Sequence, residues 1–288
     1  MNQKVACTLA VAAASVLIGG ASTLLAQSAG TRPADIITSI SSKVLAPITA
    51  NAEARKLARY VYDKPTPQNS VMLFIDHQVG LISGVRDFQS LSEYKNNVVA
   101  LAKFAKALKI PVLLTSSNAQ WQNGDLLPEL KAVFPNEPIY RRTGIINAYE
   151  DPTFRKALQE IATKSGRTHV IISGVTLGTC VAMPTLSMLQ DGFRVYPVID
   201  ASGTWGRYEA DATIARVSQA GAEPVAVFAL AAELQADWKN ESANDMLAPF
   251  VEHLPEYGMV VQNFWNNANI KQVPDPFGIV KSPAPASK

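Results

Sequence analysis

Cysteine is almost absent, with two in 288 residues, Cys7 and Cys180. Histidine is scarce as well. The three present, His77, His169 and His253, stand far from one another and from any cysteine, which removes the common zinc-ligand spacings. Charge is thin at 17%, with 26 basic against 24 acidic residues and a net of +2, so nothing marks nucleic acid or an anionic membrane surface as a partner. Beyond the N-terminal region no apolar run is long enough to cross a bilayer. What is there is 48% hydrophobic, enough to bury a core of about one ordinary domain once the ends are set aside.

The N-terminal stretch MNQKVACTLAVAAASVLIGGASTLLAQSAG has an early lysine, a small-residue apolar run and an Ala/Ser/Gln region suited to cleavage. It reads as a secretory signal over residues 1–26, cut after Ala26 or a little later near Ser28, with an uncleaved anchor as the alternative. This predicts a periplasmic or secreted protein with no stable membrane insertion after cleavage. A lipoprotein signal needs a cysteine at the cut, and Cys7 lies too early. The mature chain then keeps Cys180 alone, which forms no internal staple in an oxidising compartment. It is either a buried small hydrophobe or a reactive thiol.

From Asn69 onward, short β-branched runs alternate with longer stretches of helical spacing, the pattern of βα repeats on a parallel sheet. SVMLFIDHQ, IPVLLTSS, THVIISGV and FRVYPVIDAS read as strands, EPIYRRTGIINAYED as a short strand and loop, and EPVAVFALAAEL closes the series. In DPTFRKALQEIATKS, Asp151 is the candidate N-cap and Pro152 the first helical residue. The expected organisation is an N-terminal helical extension at 27–68, the α/β domain at 69–240, an apolar packing segment at 241–274 and a disordered, proline-rich tail at 275–288.

In open α/β sheets the ligand crevice lies beyond the carboxyl ends of the strands. Three residues gather there: Asp76 after VMLFI, Arg142 after PIY, and Cys180, which follows VIISGV by a glycine-containing turn and opens a helix. Each has a bland alternative, as a turn-capping Asp, a solvated Arg beside Arg141, or an inert thiol. Together they make a nucleophile, a carboxylate to take its proton and a guanidinium to balance charge. A helix start would further favour the thiolate and offer N–H groups to an oxyanion.

FIDHQVGLISGVRD, RRTGIINAYEDPTF, VIISGVTLGTCVAMPTLSMLQDGFRVYPVIDASGTW and SQAGAEPVAVFALAAELQADW resemble, in order, the isochorismatase-like cysteine hydrolase superfamily, most closely its YcaC-like subgroup. The resemblance runs over roughly Ser70 to Asn240. It implies a doubly wound, mainly parallel six-stranded sheet flanked by helices, a Rossmann-like three-layer fold. It also implies a catalytic Asp76, Arg142 and Cys180, a cis peptide between Val175 and Thr176, and an oxyanion hole from the N–H groups of Thr176 and Cys180. The implied activity is metal-independent, cofactor-free hydrolysis of a small amide, imide or related C–N bond through a thioester, by a protein that assembles as a homo-oligomer. A thiol-based sensor or small-ligand-binding protein on the same fold is the alternative. The match departs at Leu177 and Gly178, where relatives often carry threonine and an acidic residue. After the second strand, TSSNAQWQNGDLLPEL lacks the histidines of the metal-binding nicotinamidases. Asn118, Gln120, Trp121 and Thr204 are instead the candidate pocket residues, with ordinary surface-loop roles as the alternative.

Overall fold

Ser70–Ile75, the run SVMLFI, is buried at all six positions and forms β1, the middle strand of the sheet. A strand covered on both faces can carry an unbroken apolar run, because neither set of alternating side chains meets water. Met72 and Phe74 face one layer, among Phe104, Leu130, Leu230 and Phe250. Val71, Leu73 and Ile75 face the other, among Phe154, Leu158 and Met188. The computed structural model describes residues 62–87 and 90–271. The expected signal at 1–26, residues 27–61 of the expected extension and the tail at 275–288 lie outside the described residues.

On one side of β1 stand β2 (Val112–Ser117) and β3 (Ile139–Arg142), and on the other β4 (His169–Gly174) and β5 (Arg194–Pro197). All four pairings are parallel, in the order β3-β2-β1-β4-β5. The chain winds outward from β1 in both directions, so the loops after β1 and β4 diverge and leave a crevice between them. Among the described residues the sheet therefore has five strands where six were expected. The sixth position survives as a single parallel bridge, in which Val225 N–H donates to Pro197 O and Ile199 N–H to Val225 O, each at 2.9 Å. Two residues later the Ala- and Leu-rich run VFALAAELQ has become a helix, Val227–Gln235, where helix propensity outweighs extension of an edge.

The nine α-helices among the described residues are α1 (Val79–Ile82), α2 (Leu91–Ala107), α3 (Pro128–Val133), α4 (Pro152–Ser165), α5 (Ala182–Gln190), α6 (Arg207–Gln219), α7 (Val227–Gln235), α8 (Ala243–His253) and α9 (Pro255–Lys271). Local chemistry sets their ends. Ser90 caps α2 by accepting from Glu93 N–H at 3.1 Å. Asp151 caps α4 by accepting from Thr153 and Phe154 N–H, with Pro152 at N1 as its sequence implies, and Gly166 closes the helix in the left-handed region. The apolar segment after residue 240 lies on α2 of its own chain. Asn96 donates to His253 O at 2.6 Å, Lys103 pairs with Glu252 at 2.6 Å, and the rings of Phe104 and Phe250 stand 4.8 Å apart.

His77, one residue past the end of β1 and its adjoining Asp76, is fully buried. Its Nδ1 lies 2.5 Å from Tyr94 Oη and its Nε2 3.0 Å from Ser173 Oγ, tying the end of β1 to α2 and β4. Burial drives the imidazole down to about 3, so it is neutral in the folded protein while an unfolded chain protonates it near 6.5. The unfolded state therefore binds more protons below pH 6.5, and stability contributed by His77 is full above that value and falls as pH drops toward 3. Asp76 works in the opposite sense, since burial raises its carboxyl and the stability it contributes is lost as pH rises through the raised value. Urea titrations of the wild type and His77→Gln isolate the histidine. We expect their stability difference to change by up to about 1.4 kcal/mol per pH unit below pH 6.5; a difference that is flat with pH would contradict a neutral buried imidazole.

Candidate active site

β1 delivers Asp76 to the crevice. Its backbone takes φ 55°, a left-handed conformation that aspartate tolerates better than most side chains. The turn is held by Asp76 N–H donating to Thr115 O at 3.0 Å and by Gln78 N–H donating to Asp76 O at 2.7 Å. β3 delivers Arg142, 3% exposed, whose guanidinium makes four hydrogen bonds. Nη2 donates to Asp76 Oδ2, Nη1 to the carbonyl oxygens of Ile145 and Ile146, and Nε to Thr115 Oγ1 at 3.0 Å. Thr115 Oγ1 in turn donates to Tyr140 O at 2.8 Å, so β2 and β3 hold the guanidinium plane together.

β4 delivers Cys180. The strand ends at Gly174, where a Cβ would meet Ile75 O at 2.4 Å, so only glycine lets the two central strands diverge this closely. After the cis peptide Val175–Thr176, Leu177–Val181 forms a π-helical turn that runs into α5. Cys180 is 8% exposed, with Sγ 3.3 Å from Asp76 Oδ2 and 3.6 Å from Thr179 Oγ1. The turn's backbone bonds use the N–H groups of Leu177, which reaches Gly203 O, and of Thr179 and Val181, which both reach Thr176 O.

The electrostatics correct one sequence argument. A helix start was expected to favour the thiolate, but Cys180 sits in the turn before α5, and burial pushes its thiol up to about 12, with the Asp76 charge adding to the rise. The resting sulfur is a thiol that donates to Asp76. Burial also raises the Asp76 carboxyl, against the pull of Arg142, and a more basic carboxylate is the better acceptor for that proton.

Above these groups lies a cavity of about 280 Å³ lined by Asn118, Asn123, Ile146, Trp205 and Glu209 as well as Asp76, Thr176 and Cys180. Of the sequence candidates, Asn118 reaches it. Gln120 and Trp121 do not line it: they follow on a turn that carries their side chains into solvent, leaving Trp121 72% exposed. Thr204 does not line it either, because it is fully buried with its hydroxyl within hydrogen-bonding distance of Gly206 O at 3.0 Å and Asp87 Oδ2 at 3.3 Å. Its neighbour Trp205 takes the mouth. Asn123 and Glu209 carry no short motif and were missed; the crevice rule limits the search to strand-end loops but does not say which loop residues turn inward. Two larger grooves, about 610 and 620 Å³, lie along α2 and α3, remote from the nucleophile. Among the described residues no group of three His, Cys, Asp or Glu side chains could hold a metal ion, and no helix is long and apolar enough to cross a membrane.

Residues 70–227 match the Isochorismatase domain, more than half of the chain. The chain belongs to the isochorismatase family. Proteins similar to it include the probable hydrolase YcaC of Escherichia coli K12, 39% identical over 203 residues, which cover 70% of this chain and 95% of that one. A structure of the E. coli protein, described as an octameric hydrolase of unknown specificity, has a TM-score of 0.67 and covers 72% of this chain and 98% of its own. YcaC from Pseudomonas aeruginosa, determined with hexane-2,5-diol and covalent acrylamide, is 42% identical with a TM-score of 0.66, covering 71% of this chain and 98% of that one. This places the isochorismatase-family chain among hydrolases and its five-stranded parallel sheet among theirs.

The buried ion pair makes a prediction about this fold. Arg142→Met keeps the length of the side chain but leaves Asp76 buried without its counter-charge, and removing one partner of such a pair costs about 3–5 kcal/mol. Chemical denaturation should show that loss, and adding Asp76→Asn should recover much of it, because the double variant strands no carboxylate. Additive losses would contradict the coupling.

Proposed function

We propose that this chain is a cysteine hydrolase, exported to the periplasm or secreted by its N-terminal signal, that opens a small amide, imide or related C–N bond through a thioester on Cys180. The observation that carries the reading is the Cys180 Sγ to Asp76 Oδ2 distance of 3.3 Å, with Arg142 on the same carboxylate, in a cavity at the switch point of the sheet. Asp76 takes the thiol proton as sulfur attacks the substrate carbonyl, and the N–H groups of Thr176 and Cys180 receive the oxyanion. That attack forms the S–C bond; collapse of the tetrahedral intermediate restores the carbonyl as a thioester and breaks the C–N bond, with the proton on Asp76 passing to the departing nitrogen. Asp76 then accepts a proton from water, hydroxide adds to the thioester, and the acid leaves as the thiol is restored. Arg142 holds its charge throughout and steadies Asp76 in both states.

The thiol-sensor alternative is weaker on one count. Redox-sensing cysteines are accessible and acidic, whereas Cys180 is buried and its thiol is pushed up to about 12. For assembly, the octamer of E. coli YcaC supports a homo-oligomer here, as do the exposed Met259, Val260 and Phe264 of α9. The test is a panel of small amides and imides, scored for ammonia or amine release and for an acyl mass on the Cys180 peptide under rapid quench. Turnover with that adduct is expected; turnover by a path that never acylates Cys180 would overturn the reading.

A further inference from the structure

Gly178 lies in the nucleophile's own turn, and its backbone is not in the left-handed region, so conformational freedom does not explain a glycine there. A Cβ at this position would lie 2.5 Å from Glu209 Oε1 and 3.1 Å from Glu209 Cγ. The glycine makes room for a carboxylate that α6 lays over the turn.

Glu209 lines the same cavity as Cys180, in the first turn of α6. Its recorded partner is Trp205 N–H, a long 3.4 Å contact to Oε2. Among the described residues the cavity lining contains two carboxylates, Asp76 and Glu209, and no lysine, arginine or histidine. Arg142 balances Asp76 from behind and directs three further N–H donors to Thr115 and to the Ile145 and Ile146 carbonyls. Glu209 is therefore left as the unbalanced charge facing the cavity. Beside it stands the indole of Trp205, 55% exposed at the mouth, a surface that attracts cations through its π face. A second observation points to a ligand here: Asp76 Oδ1, on a side chain 1% exposed, has no hydrogen-bond partner among the described residues. Asp76 lines the cavity, and this oxygen keeps an acceptor position that no described residue uses.

We propose that Glu209 is the specificity-determining residue of the site and that, granting the amide-hydrolase reading above, the substrate is a small carboxamide carrying a cationic group. The cation sits between the Glu209 carboxylate and the Trp205 indole while the carboxamide faces Cys180, and Gly178 is the residue that permits it. Small anionic amides are repelled by the same carboxylate.

The test uses betaine amide, whose charge is permanent, against its uncharged isostere 3,3-dimethylbutanamide and against the anion malonamate. Binding of each to the Cys180→Ala protein is measured by calorimetry at low salt, and hydrolysis of each by the wild type is measured in parallel. Betaine amide is expected to bind at least tenfold more tightly than the isostere. That ratio should fall toward one in Glu209→Gln and, by displacement of the carboxylate, fall in Gly178→Ala, and should shrink as salt is raised. Equal binding of the two amides, tighter binding of malonamate, an undiminished ratio in Glu209→Gln, or no binding of betaine amide each overturns the proposal. A preserved binding ratio with no hydrolysis of any amide would leave the Glu209 assignment standing and remove the amidase reading instead.

Discussion

Cys180→Ala is expected to lower amide hydrolysis by a factor on the order of 10⁴ to 10⁶, the range seen when a covalent nucleophile is removed while the rest of the site stays in place. The fold should survive it. Cys180 contributes one small side chain at the edge of the layer containing Leu177 and Val181, and among the described residues its sulfur bonds to Asp76 and Thr179, both of which keep other partners. We therefore expect a stability change within about 1 kcal/mol, measured by thermal melting beside the activity assay. Loss of activity with an intact melt assigns the sulfur to chemistry. Activity within tenfold of wild type would return Cys180 to the status of a buried hydrophobe.

The second large effect is expected from Asp76→Asn, which should separate two consequences of one carboxylate. Hydrolysis should fall by about 10²- to 10⁴-fold, the usual worth of a positioned proton acceptor. The thiol itself should become more acidic. The Asp76 charge is, after burial, the next cause of its elevation, and removing that charge leaves the positive Arg142 nearby to favour thiolate. A pH titration of thiolate absorbance, with alkylation of the Cys180 peptide followed by mass spectrometry, should place the midpoint below that of the wild type. A slower enzyme with a more acidic thiol is the signature of a base, because an activating group that worked only by stabilising thiolate would give the reverse. A midpoint that rises, or activity that persists, would contradict the proton-acceptor role.

The three central residues were legible because strand-end positions can be counted along a chain. Asp76 ends an all-buried strand, Arg142 is the last residue of β3, and Cys180 follows β4 after one turn. The state of the thiol was not legible. Its elevation comes from burial among residues far apart in sequence and from Asp76, 104 residues away, which outweigh any local helix-end effect. The pocket was read only in part for a similar reason. Asn118 and Trp121 are three residues apart in one polar loop, yet one lines the cavity and the other points to solvent, and that choice rests on the path of a turn. The edge of the sheet failed on local competition: VAVF has strand character, but the helix that follows takes it over after a single bridge at Val225.

Periodicity, apolar runs and cap residues are properties of neighbours along the chain, and they determined the parallel α/β architecture, the order of its strands and helices and the ends at which reactive side chains emerge. Contact among distant segments settled the rest: the buried neutral His77, the protonated Cys180 and the carboxylate of Glu209 laid over Gly178. Each of these depends on a dielectric environment or a clearance of a few ångströms that arises only when segments about thirty or more residues apart are packed together, and no local pattern encodes either one.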